Sequence, residues 1–290
     1  MAPTAVMNYR HAFHAGNFGD VLKHAVLALA LARLAAKPAP FFYLDTHAGA
    51  ARYDLAGSEA LRTGEAQDGI LRLLAERDTP PGLRPYLGVV RTLNAGEAQC
   101  VRYPGSPWIA RKMTRPNDRL LLCEMHSEAL RDLRRATAGD RRIEVRQADG
   151  WGALKSDLPP PERRGLVLVD PPFEAKDEYE RLARGLRHAY RRFATGVLVG
   201  WYPIKTRGPV DALHAAIVAA GIRRVLVAEL LVRAPAADDD PAARLAGCGL
   251  VVVNPPWTLA ESLAATLPWL AARLAQGPGG GYRLDSLAGE

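Results

Sequence analysis

Seven short runs of apolar, β-prone residues recur along the chain: FFYLD (41–45), RLLLCE (119–124), IEVRQ (143–147), LVLVD (166–170), GVLVGWY (196–202), RVLVAELLV (224–232) and GLVVVN (249–254). Most lack polar alternation, the pattern of strands covered on both faces in a largely parallel sheet. The intervening stretches 127–139, 177–193 and 209–221 carry apolar residues at helical spacing. Strand and helix in alternation predict a doubly wound α/β sheet.

Two segments depart from that rhythm. In a Rossmann-like unit an acidic residue ends the second strand about 20 residues after the first, whereas Asp45 and Glu124 stand 79 residues apart. The excess, 52–104, contains two stretches of helical period separated by Pro80, Pro81 and Gly82, and is predicted to be a helical insertion in the first crossover. The division expected is therefore a main domain from 1–51 and 105–275, with 52–104 as a small inserted subdomain. The Gly-rich end, 276–290, has no periodic apolar face and is expected to be a flexible tail. The longest apolar stretch, 24–37, is broken by Arg33 and reads as a buried helix, short of a membrane span.

The residues able to do chemistry cluster at the carboxyl ends of the predicted strands, where open α/β sheets bind ligands. DTHAGAARY (45–53) follows the first, CEMH (123–126) the second, ADG (148–150) the third and DPPF (170–173) the fourth. HAGAA is no GxGxxG, which argues against an ordinary nicotinamide or flavin site. Glu124 is placed to accept hydrogen bonds from both hydroxyls of a ribose, and Asp149 reads equally well as a helix cap. In DPPF each proline ring fixes its own φ and biases the preceding residue toward extended backbone. A stiff turn results, with two acceptors, the Asp170 carboxylate and the Pro171 carbonyl, and the Phe173 ring just beyond. Two acceptors facing one point suit a planar amino group, and the ring suits an extruded base. The same shape recurs as NPPW (254–257), so the tetrapeptide alone does not identify a reaction centre.

Over nearly its whole length the sequence resembles the RlmJ-type bacterial 23S ribosomal RNA (adenine-N6)-methyltransferases. The resemblance is carried by NYRHAFHAGNFGDVLKH (8–24), FFYLDTHAGAARYDL (41–55), YPGSPWIAR (103–111), QADGW (147–151), RRGLVLVDPPFE (163–174), RFATGVLVGWYPI (192–204) and GLVVVNPPW (249–257). It implies a class I S-adenosylmethionine-dependent methyltransferase fold, Rossmann-like, with a seven-stranded mostly parallel sheet and an inserted helical subdomain. It implies transfer of a methyl group to the exocyclic N6 amine of an adenine in 23S ribosomal RNA, with no metal. It places S-adenosyl-L-methionine against His24, His47, Ser106, Glu124, Asp149, Gly150 and Asp170, makes Asp170 the catalytic carboxylate, and puts Tyr9 at the RNA beside Pro171 and Phe173. Members of the family commonly carry Tyr where this chain has Phe173, and Gly where it has Ala51. Phe keeps the stacking plane; at Ala51 the tight turn is left to Gly49.

The N-terminal segment supports an RNA partner independently, because Tyr9, Arg10, His11, Phe13 and His14 interleave cations with aromatic rings. A net charge of +7 suits a polyanion without naming one. Three widely spaced cysteines argue for reduced thiols, and the N-terminus lacks the apolar core of a signal peptide. A cytoplasmic monomer is expected. Two alternatives differ from RNA methylation: a DNA adenine-N6 methyltransferase, against which the lack of a target-recognition domain weighs, and a nucleic-acid-binding relative linked to use of external DNA. Retention of Glu124, Asp149 and Asp170 together weighs against the second.

Overall fold

A computed structural model describes residues 10–289. In chain order it contains α1 (Phe18–Ala35), β1 (Phe42–Asp45), β2 (Arg52–Asp54), α2 (Ser58–Thr63), α3 (Ile70–Leu74), α4 (Arg84–Leu93), β3 (Arg102–Pro104), α5 (Ser106–Met113), β4 (Arg119–Cys123), α6 (Ser127–Thr137) and β5 (Ile143–Arg146). There follow α7 (Gly150–Ser156), β6 (Gly165–Val169), α8 (Glu178–Arg192), β7 (Val197–Ile204), α9 (Gly208–Ala219), β8 (Val225–Leu231), β9 (Gly247–Val253), α10 (Leu259–Leu274) and β10 (Gly281–Ala288).

The main sheet runs β10-β8-β9-β7-β6-β1-β4-β5. From β5 through β7 the neighbours are parallel; β9 lies antiparallel between β7 and β8, and β10 is antiparallel to β8. Side chains of the central strands alternate between two cores. Tyr43, Leu120, Leu122, Leu166 and Leu168 face the core containing α1, α4, α5 and α10. Phe42, Leu44, Leu121, Val167 and Val169 face the one containing α7, α8 and α9. Both faces of each strand are thus dry, which is why no polar alternation shows in the sequence.

All seven strands expected from the sequence are present, but the sheet has eight. The eighth, β10, comes from the end expected as a flexible tail. Its pairing with β8 sets Arg283 opposite Glu229 and Leu284 opposite Ala228, with an irregularity between Ser286 and Ala288. Leu284 packs on one core and Leu287 on the other, while Tyr282, Asp285 and Ser286 are exposed. An edge strand broken by a bulge leaves no constant period to read, and the glycines before it mask the rest.

Residues 52–104 hold β2, α2, α3, α4 and β3, with β2 and β3 paired as a separate two-stranded ribbon. Leu83, Tyr86, Leu87 and Val90 of this segment are buried in the same core as α1 and α10. α1 itself is buried nearly all round, and the Asn17 side chain caps it by accepting from the Asp20 amide at 2.9 Å. No helix among the described residues is long and apolar enough to cross a membrane.

Candidate active site

The loops leaving β1, β4, β5 and β6 converge on one cleft of about 1190 Å³, at the carboxyl edge of the parallel strands. The loop after β1 is stitched between its neighbours: the Thr46 amide donates to the Leu168 carbonyl and the Ala48 amide to the Cys123 carbonyl. Gly49 has φ +65° and gives its amide to Glu124 Oε2 at 2.7 Å, while Glu124 Oε1 accepts from the His126 amide at 2.7 Å. A carboxylate offers about four lone-pair directions, so Glu124 keeps two for further donors. Ala51 is also left-handed, φ 68°, so the turn rests on two such residues and not on Gly49 alone. A Cβ on Gly150 would sit 2.0 Å from the Thr46 carbonyl oxygen, so only glycine lets the two loops touch there.

Of the residues singled out in the sequence, His24, His47, Ser106, Glu124, Asp149, Gly150, Asp170, Pro171 and Phe173 all line this cleft. Tyr9 lies outside the described residues. Asp149 is the N-cap of α7, accepting from the Trp151 amide at 3.2 Å, so the capping role holds at the cleft wall. His47 meets the Trp151 ring edge-on at 5.4 Å; burial, with the Arg181 charge, pushes it down to about 3, so it is a neutral imidazole at pH 7. Phe173, at φ 51°, packs edge-on against Tyr179 at 4.9 Å and Trp201 at 5.7 Å.

The electrostatic centre lies beneath Asp170. Lys23 Nζ donates to Asp170 Oδ2 at 2.6 Å and contacts Asp20 Oδ1 at 2.9 Å; the lysine is only 4% exposed. Burial alone would push the ammonium down, but the Asp170 and Asp20 carboxylates outweigh it and hold it well above its usual range. Asp20 also accepts from the Gly16 amide and meets His11 Nε2, both at 2.9 Å. Burial would raise its carboxyl, yet His11 and Lys23 hold it well below the usual range. At the end of β1, Asp45 accepts from the Tyr43 hydroxyl at 2.8 Å. Burial pushes Asp45 up to about 6 despite hydrogen bonds to Ser106 and Tyr43.

Sequence reading misses Asp20, and it leaves Lys23 open between a solvated lysine and one that meets an anionic group; the structure gives it two carboxylates. The signal was present: Asp20, Lys23 and His24 fall at i, i+3 and i+4, so one stripe of an otherwise apolar helix is polar. A buried helix carries such a stripe only where something answers it. The N-terminal cations are engaged as well. Arg10 pairs with Glu59 at 2.9 Å and Glu128 at 2.7 Å, and His14 with Glu65 at 2.9 Å.

The family model described as "Ribosomal RNA large subunit methyltransferase D, RlmJ" matches residues 38–287. The chain belongs to the RlmJ family. It is 43% identical to "Ribosomal RNA large subunit methyltransferase J" of Escherichia coli, over 93% of this chain and 94% of that one. It is 40% identical to the protein of the same name from Haemophilus influenzae, over 98% and 100% of the two chains. A crystal structure of a Legionella pneumophila protein superposes with a TM-score of 0.84 at 32% identity, covering 94% of this chain and 98% of that one. The eight-stranded sheet is accordingly the class I methyltransferase fold, and the methyl donor of the family is S-adenosylmethionine. The donor set fits that molecule: a carboxylate with spare acceptor capacity at the end of β4, a glycine-lined cradle after β1 and β5, and a cleft with room for a base beside the cofactor.

Proposed function

We propose that the cleft transfers the methyl group of S-adenosylmethionine to the N6 amine of an adenine in 23S ribosomal RNA, with Asp170 as the catalytic residue. The observation that carries this reading is the position of the Asp170–Phe173 turn. It leaves the central strand β6 at the carboxyl edge of the sheet, in the same cleft as Glu124 and the Gly49 loop. S-adenosylmethionine supplies an electrophilic methyl group on a sulfonium; the protein supplies placement. Glu124 would accept from the ribose hydroxyls, while His24, His47, Ser106, Asp149 and Gly150, which line the same cleft, would enclose the rest of the cofactor. Lys23 occupies Asp170 Oδ2 and so turns Oδ1 toward the substrate amine, with the Pro171 carbonyl as second acceptor. Holding both N6 hydrogens makes the nitrogen more pyramidal and frees its lone pair for the methyl carbon. With the cofactor bound, its sulfur would keep the carbon–sulfur electron pair as the methyl is transferred, and one N6 proton would pass to solvent. Phe173, braced on Tyr179 and Trp201, offers its face to the base. Tyr9 is assigned to the RNA.

Activity in the cytoplasm as a monomer completes the reading, and the three free cysteines support the reducing compartment. Radiolabelled methyl transfer to a 23S transcript, followed by nucleoside analysis, should yield N6-methyladenine in RNA and nothing in duplex DNA. Label in DNA with none in RNA would reverse the choice of substrate.

A further inference from the structure

Two tyrosines with no part in the steps above lie behind the cleft. Tyr86 on α4 and Tyr103 on β3 are both fully buried. Their hydroxyl oxygens stand 2.9 Å apart, and that of Tyr103 is 2.7 Å from His24 Nδ1. The direction of the protons along this chain follows from counting them. Among the described residues, Tyr86 has Tyr103 as its one hydroxyl partner, so a proton sent elsewhere would be a buried donor left unmade. Tyr86 therefore donates to Tyr103, and Tyr103 spends its own proton on Nδ1. The reverse order, Nδ1–H to Tyr103 to Tyr86, strands the last hydroxyl. Burial, reinforced by Lys23 and His11 against the pull of Asp20, holds His24 well below the usual imidazole range, so the ring is neutral. A neutral ring that accepts at Nδ1 carries its proton on Nε2. That nitrogen lies 4.0 Å from Asp20 Oδ1, and His24 lines the cleft.

We propose that Tyr103, oriented by Tyr86, is a positioning residue that fixes His24 as an Nε2–H donor toward an acceptor atom of the cofactor. Segment 52–104 thereby takes part in cofactor recognition from behind the site. The inference rests on reading the cleft as the S-adenosylmethionine site. In the opposite tautomer an Nε2 lone pair would face Asp20, and a cofactor oxygen placed there would be repelled.

The test is carried out on the whole protein labelled with ¹⁵N-histidine, without cofactor, with His24→Gln used to assign the ring signals. The parent should show His24 as the Nε2–H tautomer with Nδ1 shifted as an acceptor. Tyr103→Phe should bring in the other tautomer and weaken S-adenosylmethionine binding about tenfold in calorimetry, with turnover at saturating cofactor little changed. Tyr86→Phe should keep the tautomer, since Tyr103 still has Nδ1 as its one acceptor, and weaken binding less. An Nδ1–H ring in the parent, a tautomer switched by Tyr86→Phe, or unaltered affinity in Tyr103→Phe would each overturn the proposal. Unaltered affinity in His24→Gln alongside the expected tautomer overturns it through the placement of the cofactor, with the proton chain intact.

Discussion

The two Pro-Pro turns are nearly the same tetrapeptide and do opposite things. Asp170 follows β6, whose neighbours β1 and β7 run parallel to it, so it emerges where the loops after β1, β4 and β5 gather. Asn254 follows β9, which runs the other way: Val253 stands opposite Leu198 and Val225, near the starts of β7 and β8. It therefore leaves the sheet at the edge away from the cleft. Each turn contains one left-handed residue at φ 51°, but at different places. In the first it is Phe173, whose ring is thereby held in the cleft against Tyr179 and Trp201. In the second it is Asn254, a residue that tolerates this conformation, and its amide group donates to the Ala194 and Gly196 carbonyls at 2.7 and 2.9 Å. Trp257, the counterpart of Phe173, is 73% exposed and lies under the Arg33 guanidinium. Strand direction, not local sequence, decides which turn can serve chemistry.

The largest effect should come from breaking the first turn. Asp170→Ala is expected to lower methyl transfer to RNA about a thousandfold, with the circular dichroism of the folded state kept. Near-parental turnover in that variant would sink the mechanism.

Next to the first turn's edge of the sheet, Asp45 at the end of β1 is a buried carboxyl whose protonation can be read from stability. Its folded pKa, about 6, lies above the unfolded value of 3.8. Between those values the folded state holds the extra proton, so stability is lost as pH rises through 6. Asp45→Asn removes this dependence while leaving an acceptor for Tyr43. Relative to the parent it should gain at most about 3 kcal/mol between pH 4 and pH 8. Urea unfolding at the two pH values reads this directly; equal differences at both would contradict the burial argument.

Breaking the second turn should cost stability alone. Asn254→Ala loses two hydrogen bonds to backbone carbonyls, about 2 kcal/mol, and turnover per folded molecule should match the parent. A well-folded but inactive Asn254→Ala would reverse the assignment of the two turns.

The smallest expected change is at Ala51, left-handed like Phe173 and Asn254, in the loop after β1. Ala51→Gly relieves about 1–2 kcal/mol of backbone strain and loses about 0.8 kcal/mol of buried methyl. A rise in melting temperature of a few degrees or less is expected; a fall would mean that the methyl packs better than its conformation suggests.

The apolar runs and the acids and prolines that end them were enough to place seven strands and the candidate residues after β1, β4, β5 and β6. Such features are local, since a strand covered on both faces has to be apolar throughout and a ligand-binding sheet carries its polar residues at the strand ends. Three things were decided only in three dimensions. The strand β10 depends on the open edge of β8, and its own residues, split between two cores and interrupted by a bulge, carry no period. Lys23 reads as solvated or paired until Asp20 and Asp170, 3 and 147 residues away, close around it. The proton order through Tyr86, Tyr103 and His24 joins α4, β3 and α1, and burial is what gives it a direction. Pairing across the fold, and the cost of leaving a buried polar atom alone, are properties of the packed chain and not of any one stretch of it.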